Sequence, residues 1–161
     1  MKKIIFLALI NAAMISFTQN KKIETINNTN TQTMEKLAKQ EIESLLINYK
    51  GTLNTSNAEK ATSLYAKDGV FMPTGAPSAI GTEQIKKAYD FVFSQIQLNI
   101  EFFIEEIQVE GNMVFAVTSS KGTTLIHANG ETIPEENREL FVFEKENSTW
   151  KISRYMFNKI K

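Results

Sequence analysis

The segment LYAKDGVFMPTGAPSAIGTEQIKKAY, Leu64 to Tyr89, packs several kinds of local order into a short span. Its first residues close a helix that begins after Ser56. Asp68-Gly69 reads as a turn, and Val70-Phe71-Met72 as a short strand. Pro73 stops that strand, because it has no N–H to give to a ladder. PTGAPSAIG is loop by its glycines and prolines. Thr82 then reads as the cap of a further helix. Ile85, Ala88, Tyr89, Val92, Phe93 and Ile96 recur every three or four residues and make one apolar stripe on it.

Downstream the period changes from helical to alternating. Ile100 to Glu110 alternates apolar and polar until the phase slips at Glu105-Glu106, the pattern of a β-bulge. Gly111-Asn112 is a turn, and Met113 to His127 a long strand. Asn129-Gly130 marks a hairpin, since both residues tolerate positive φ. Glu131 to Lys145 returns, with Pro134 marking an edge or irregularity. After Asn147-Ser148 the last strand is Trp150 to Ile160. Upstream, Met34, Leu37, Ala38, Ile42, Leu45, Leu46, Tyr49 and Leu53 form the stripe of a long amphipathic helix. Ser56 to Glu59 reads as a capping box opening a second, short one. Helices followed by meandering strands predict an α+β fold. The expectation is a curved antiparallel sheet with three N-terminal helices on its concave face, enclosing a cone-shaped cavity.

The chain has 161 residues, 42% of them hydrophobic and 10% aromatic, enough for one domain with a substantial core. Lys2 and Lys3 precede an apolar run from Ile4 to Phe17. The run is shorter than the about 20 residues that span a bilayer. This is the pattern of a secretory signal over residues 1–18, so export to the periplasm or beyond is expected, with no stable membrane anchor. Residues 19–33, rich in Asn and Thr, read as a flexible linker, and 34–161 as the domain. Lys plus Arg equals Asp plus Glu at 18 each, so no basic excess points to nucleic acid. Without cysteine, disulfides and thiolate chemistry are excluded. His127 is the one histidine, and no metal-ligand spacing surrounds it. Neither a metal nor a cofactor is expected, and no nucleophile-elbow string is present.

Leu64 to Tyr89, and ENRELFVFEKENSTWKISRYMFN from Glu136 to Asn158, resemble the nuclear transport factor 2-like superfamily over about Met34 to the C-terminus. The layout is most similar to its SnoaL-like and ketosteroid isomerase-like members. The resemblance implies a cystatin-like roll around a pocket, with either binding or isomerase, cyclase or dehydratase chemistry. The isomerase reaction needs a carboxylate base and two acidic donors, a Tyr and a protonated carboxylic acid. Tyr49 matches the donor Tyr, and Glu139 lies near the donor acid. The place of the base, just before Pro73, holds Phe71 and Met72, neither of which accepts a proton.

The residues themselves leave several readings open. Tyr49 is either a donor or an ordinary helix tyrosine. Glu105 or Glu106 at the bulge is either re-aimed inward as a base or solvated. Arg138 and Arg154, on neighbouring strands, either bind a carboxylate or phosphate at the pocket mouth or pair with acids on the sheet surface. Tyr65, Phe71, Tyr89, Phe93, Phe102 and Phe103 read as pocket lining or core, with Met72 beside them. Tyr89, Arg154 and Asn158 are the expected polar contacts. Phe141 and Phe143 alternate with Leu140 and Val142, so both sheet faces are apolar, which points to a homodimer through the outer face. The expected partner is a small apolar or amphipathic molecule. A protein-interaction module using that outer face is the other reading.

Overall fold

The computed structural model describes residues 30–160. The expected signal therefore lies outside the described residues, as does the linker as far as residue 29; residues 30–33 are helical. Contacts divide the chain into two units, Met1–Ala38 and Lys39–Lys161. Helix α1 comprises residues 30–54, and all that follows concerns the second unit. There Ile42, Leu45, Leu46, Tyr49 and Leu53 are buried. Each such apolar side chain contributes roughly 1.5–3 kcal/mol through burial.

The chain leaves α1 through Ser56, which adopts φ 51°. The Asn57 amide then reaches Thr52 O at 2.9 Å, and the Ser56 amide reaches Leu53 O at 3.1 Å. That left-handed C-terminal motif takes Ser56 out of the capping position expected for it. Asn57 caps α2 (Ala58–Ser63) instead, its Oδ1 accepting from the Lys60 amide at 2.9 Å. Ser56 Oγ donates to Gln97 Oε1.

Strand β1 (Tyr65–Met72) is longer than the sequence suggested. Asp68 and Gly69 lie within it, where the register shifts between Tyr65 and Val70, rather than in a turn. Strand β2 (Ala79–Ile80) occupies what reads as loop. Helix α3 (Gly81–Gln95) has Ile80 rather than Thr82 at its N-cap, and β3 (Ile96–Glu110) follows it directly. Strands β4 (Met113–Ile126), β5 (Thr132–Glu146) and β6 (Thr149–Lys159) complete one six-stranded sheet in the order β2-β1-β6-β5-β4-β3. All neighbours are antiparallel except β1 and β6. The sheet is curved and unclosed, with the helices N-terminal to its long strands, as expected.

Two local irregularities bear on the sheet's shape. The β3–β4 register shifts between Ile104 and Glu106, so the expected bulge exists and Glu105 is the extra residue. At Gly122, opposite Ile100, a Cβ would lie 2.0 Å from Asn99 O, so β3 and β4 approach there as only glycine permits. Pro134 is tolerated for a different reason. Strand β6 ends opposite Asn137, so at Pro134 β5 has only β4 as a neighbour.

Candidate functional site

Alternation along the long strands decides what enters the concave side. On β5, Glu135, Asn137, Glu139, Phe141 and Phe143 are buried, while Arg138 and Leu140 are exposed. On β6 the partners follow the same rule. Tyr155, Phe157 and Lys159 face inward, opposite Phe141, Glu139 and Asn137. A cavity of about 550 Å³ lies on this side. Its walls are mainly apolar: Leu53 of α1, Val92 and Phe93 of α3, Phe71 of β1, and Ile96, Leu98 and Ile100 of β3. Pro73, Thr74, Ala76 and Pro77 of the loop after β1 also line it. Volume and lining match those of small-molecule sites.

Two polar groups sit against this apolar surface. The first consists of tyrosine hydroxyls. Tyr49 of α1, Tyr65 of β1 and Tyr89 of α3 meet head to head: Tyr65 and Tyr89 are 2.8 Å apart, Tyr49 and Tyr65 3.3 Å apart, and Tyr49 also bonds Tyr89. Tyr49 and Tyr89 line the cavity. Rings lock the cluster in place. Tyr89 stacks on Phe71 (4.9 Å) and Phe93 (5.5 Å), and Phe141 on Tyr155 (4.2 Å). Burial, with neighbouring Tyr65 and Tyr89, pushes the Tyr49 phenol well above its ordinary value. Burial does the same to Tyr65, Tyr89 and Tyr155, with Glu139 adding to the rise at Tyr155. All four tyrosines of the chain are thus held as neutral donors.

The second group lies on β5. Burial alone would raise the Glu135 carboxyl, but hydrogen bonds from Asn137 (3.0 Å), Thr124 (2.9 Å) and Lys159 (3.1 Å) outweigh it and hold it below its usual value. Glu139 behaves oppositely. Burial raises it despite hydrogen bonds from Ser120 and Thr118, and the charge of Glu105 adds to the rise. Two carboxyls four residues apart on one face therefore differ in proton affinity. Among the described residues no group of three or more His, Cys, Asp or Glu is placed to hold a metal.

The structure brings Tyr49, Phe71, Tyr89, Phe93 and Glu139 to the cavity, with the Tyr65 hydroxyl just behind. It places Met72, Arg138, Arg154 and Asn158 on the other sheet face, away from the pocket positions expected for them. The reason is period two: Phe71 and Tyr155 point in, so Met72 and Arg154 point out. Arg138 and Asn158 are cross-strand partners on that outer face. Arg154 Nη1 donates to Ser153 O (2.7 Å) and Ser153 Oγ (3.0 Å). Glu105 and Glu106 are both exposed, so neither is turned into the cavity by the bulge. Sequence reasoning missed Glu135, Asn137, Ser120 and Lys159. Counting back by twos from Glu139 finds the first two; Ser120 and Lys159 follow only from register.

The sequence matches the SnoaL-like domain profile over residues 42–157. A search of curated proteins finds no match. Among solved structures, a ketosteroid isomerase-like protein from Erwinia carotovora atroseptica is similar at 29% identity, with a TM-score of 0.71, over 74% of this chain and 94% of that one. A nuclear transport factor 2-like superfamily protein from Salmonella enterica superposes with a TM-score of 0.69 at 21% identity, over 77% of this chain and 92% of that one. A putative scytalone dehydratase from Novosphingobium aromaticivorans gives 0.67 at 13%, over 78% of this chain and 85% of that one. The last two identities speak for the fold alone.

Proposed function

Because this chain belongs to the SnoaL-like domain family, we propose that it is a binding protein for a small, largely apolar molecule held in the cavity beneath α3. The observation that carries this reading is the cavity itself: about 550 Å³ of apolar lining, interrupted by tyrosine hydroxyls on one side and the Glu135–Glu139 face of β5 on the other. In this reading the ligand's body packs on Phe71, Val92 and Phe93, and its polar end meets one of the two groups. The protein acts after export, its signal removed, which gel fractionation and N-terminal sequencing of the native product would test. It works as a dimer through the outer sheet face, where Met72, Met156, Leu140 and Val117 form one cross-strand row.

Nile red, a neutral apolar dye, tests the binding reading. The full chain should enhance its fluorescence. Ala88→Trp, which fills the cavity from α3, should abolish that gain without lowering the melting temperature. Unchanged dye uptake by Ala88→Trp would place binding elsewhere and overturn the reading.

A catalytic reading has one observation in its favour. Glu139 is a buried carboxyl with raised proton affinity in a cavity also lined by tyrosine donors, the pairing that isomerase, cyclase or dehydratase chemistry requires. Against it, Phe71 and Met72 still stand where the family's base is expected. The two readings separate on whether a ligand extracted from the purified protein is returned unchanged after incubation.

A further inference from the structure

Read from sequence alone, the two arginines either bind an anion at the pocket mouth or pair with acids on the sheet surface. The fold takes them away from the cavity. Both guanidinium groups lie on the outer sheet face, and what β5 turns into the cavity is Glu135, Asn137 and Glu139. Asn137 is only 5% exposed. Its Nδ2 donates to Ser120 Oγ at 3.2 Å and to Glu135 Oε1 at 3.0 Å. Its Oδ1 is buried and has no partner among the described residues. Flipping the amide does not cure this, because the oxygen would then oppose the Glu135 carboxylate. A buried acceptor without a donor is costly, so the site calls for an N–H or O–H from outside the chain.

The charge around that acceptor narrows the class. Two lysines line the cavity, and both are engaged. Lys159 Nζ lies 3.1 Å from Glu135 and Lys87 Nζ 2.7 Å from Glu83. Glu139, two residues from Asn137, receives hydroxyls only and makes no ion pair among the described residues. A carboxylate has about four lone-pair sites, so it can accept more. Beside Glu139 on the same sheet face, Phe71, Tyr155 and Phe157 stand in stacked succession at 5.6 and 5.7 Å and present aromatic surface that suits a cation as well as an apolar body.

Resting on the reading of the cavity as a ligand site, we propose that its ligand is an organic cation: a primary or secondary ammonium on an aromatic or apolar body, donating to Asn137 Oδ1 and Glu139. A neutral alcohol satisfies Asn137 but leaves the Glu139 charge uncompensated. A carboxylate is repelled by it.

Calorimetry on the full chain with 2-phenylethylammonium, 2-phenylethanol and 3-phenylpropionate separates these cases, since the three share one body and differ in the head. The ammonium should bind on the order of tenfold or more tighter than the alcohol, with the carboxylate weakest. Glu139→Gln should erase the ammonium's advantage over the alcohol. Equal binding of ammonium and alcohol, or preference for the carboxylate, overturns the proposal, and the native series decides this even if the variant does not fold. Nile red keeps the two readings apart. Dye uptake blocked by Ala88→Trp, with no ammonium preference, removes the cation and leaves the cavity as a binding site. Absence of dye uptake removes both.

Discussion

Tyr49 shows how a residue's meaning depends on its neighbours. Its spacing on α1 marks it only as part of an apolar stripe. The fold surrounds its hydroxyl with those of Tyr65 and Tyr89 and its ring with Phe102, Phe141 and Tyr155. All four tyrosines have folded-state values raised above the ordinary 10.0. The stability this gives is complete below that value and is lost as pH rises toward the folded values. An alkaline titration followed by phenolate absorbance should therefore show no tyrosine ionising near pH 10 in the folded protein. All four should ionise together as it unfolds; a single early phenolate would contradict the cluster. Glu135 and Glu139 make a second prediction, with opposite signs. Glu139 holds its proton above the ordinary 4.5, so its contribution is present below that pH and lost as pH rises through the folded value. Glu139→Gln should thus raise the urea midpoint at neutral pH, an advantage that disappears on acidification. Glu135 lies below 4.5, so its contribution exists above that pH and is lost as pH falls. Glu135→Gln should lower the neutral midpoint, with the difference closing in acid. Matching signs for the two variants would show that the electrostatics are misassigned.

At the scale of elements, the strands carry the shape and their irregularities were unequally legible. The slip at Glu105-Glu106 shows in the sequence because two polar residues stand where alternation allows one, and the β3–β4 register contains that bulge. A further bulge lies on β6, where Ser153 is the extra residue between Ile152 and Arg154, and Ser153-Arg154 breaks the alternation in the same way. Gly122 is a third case: the sequence shows a glycine within a strand, and only the pairing shows Asn99 O lying where its Cβ would be. Gly122→Ala must push β3 away from β4. It should cost about 3 kcal/mol or more in chemical denaturation, at the upper end for overpacking a site bounded by backbone. A loss below about 1 kcal/mol would mean the strands separate easily there. The helix caps moved for local reasons. Ser56 is drawn into the left-handed exit of α1, which hands the capping role to Asn57.

For the molecule as a whole, the outer sheet face offers the clearest test of assembly. Leu140 and Met156, adjacent in register, are 38% and 40% exposed. Leu140→Lys would set a charge into the proposed contact and should convert a dimer to a monomer in sedimentation velocity at micromolar concentration, with the melting temperature of the monomer unit largely kept. A native chain that sediments as a monomer would remove the dimer. The sequence by itself determined the class of fold: period 3.6 in α1 and α3 and period two after Ile96 are properties of consecutive residues. It also placed Tyr49, Tyr89 and Phe93 on the apolar stripes of their helices. What only the tertiary structure decided was the facing of the polar residues. On strands apolar on both sides, alternation marks two sets of residues without saying which set is inside. That choice rests on Tyr49 of α1 packing on Phe141 and Tyr155. Once it is made, Glu135, Asn137 and Glu139 fall inside and Arg138 and Arg154 outside, so carboxyls rather than guanidinium groups line the cavity.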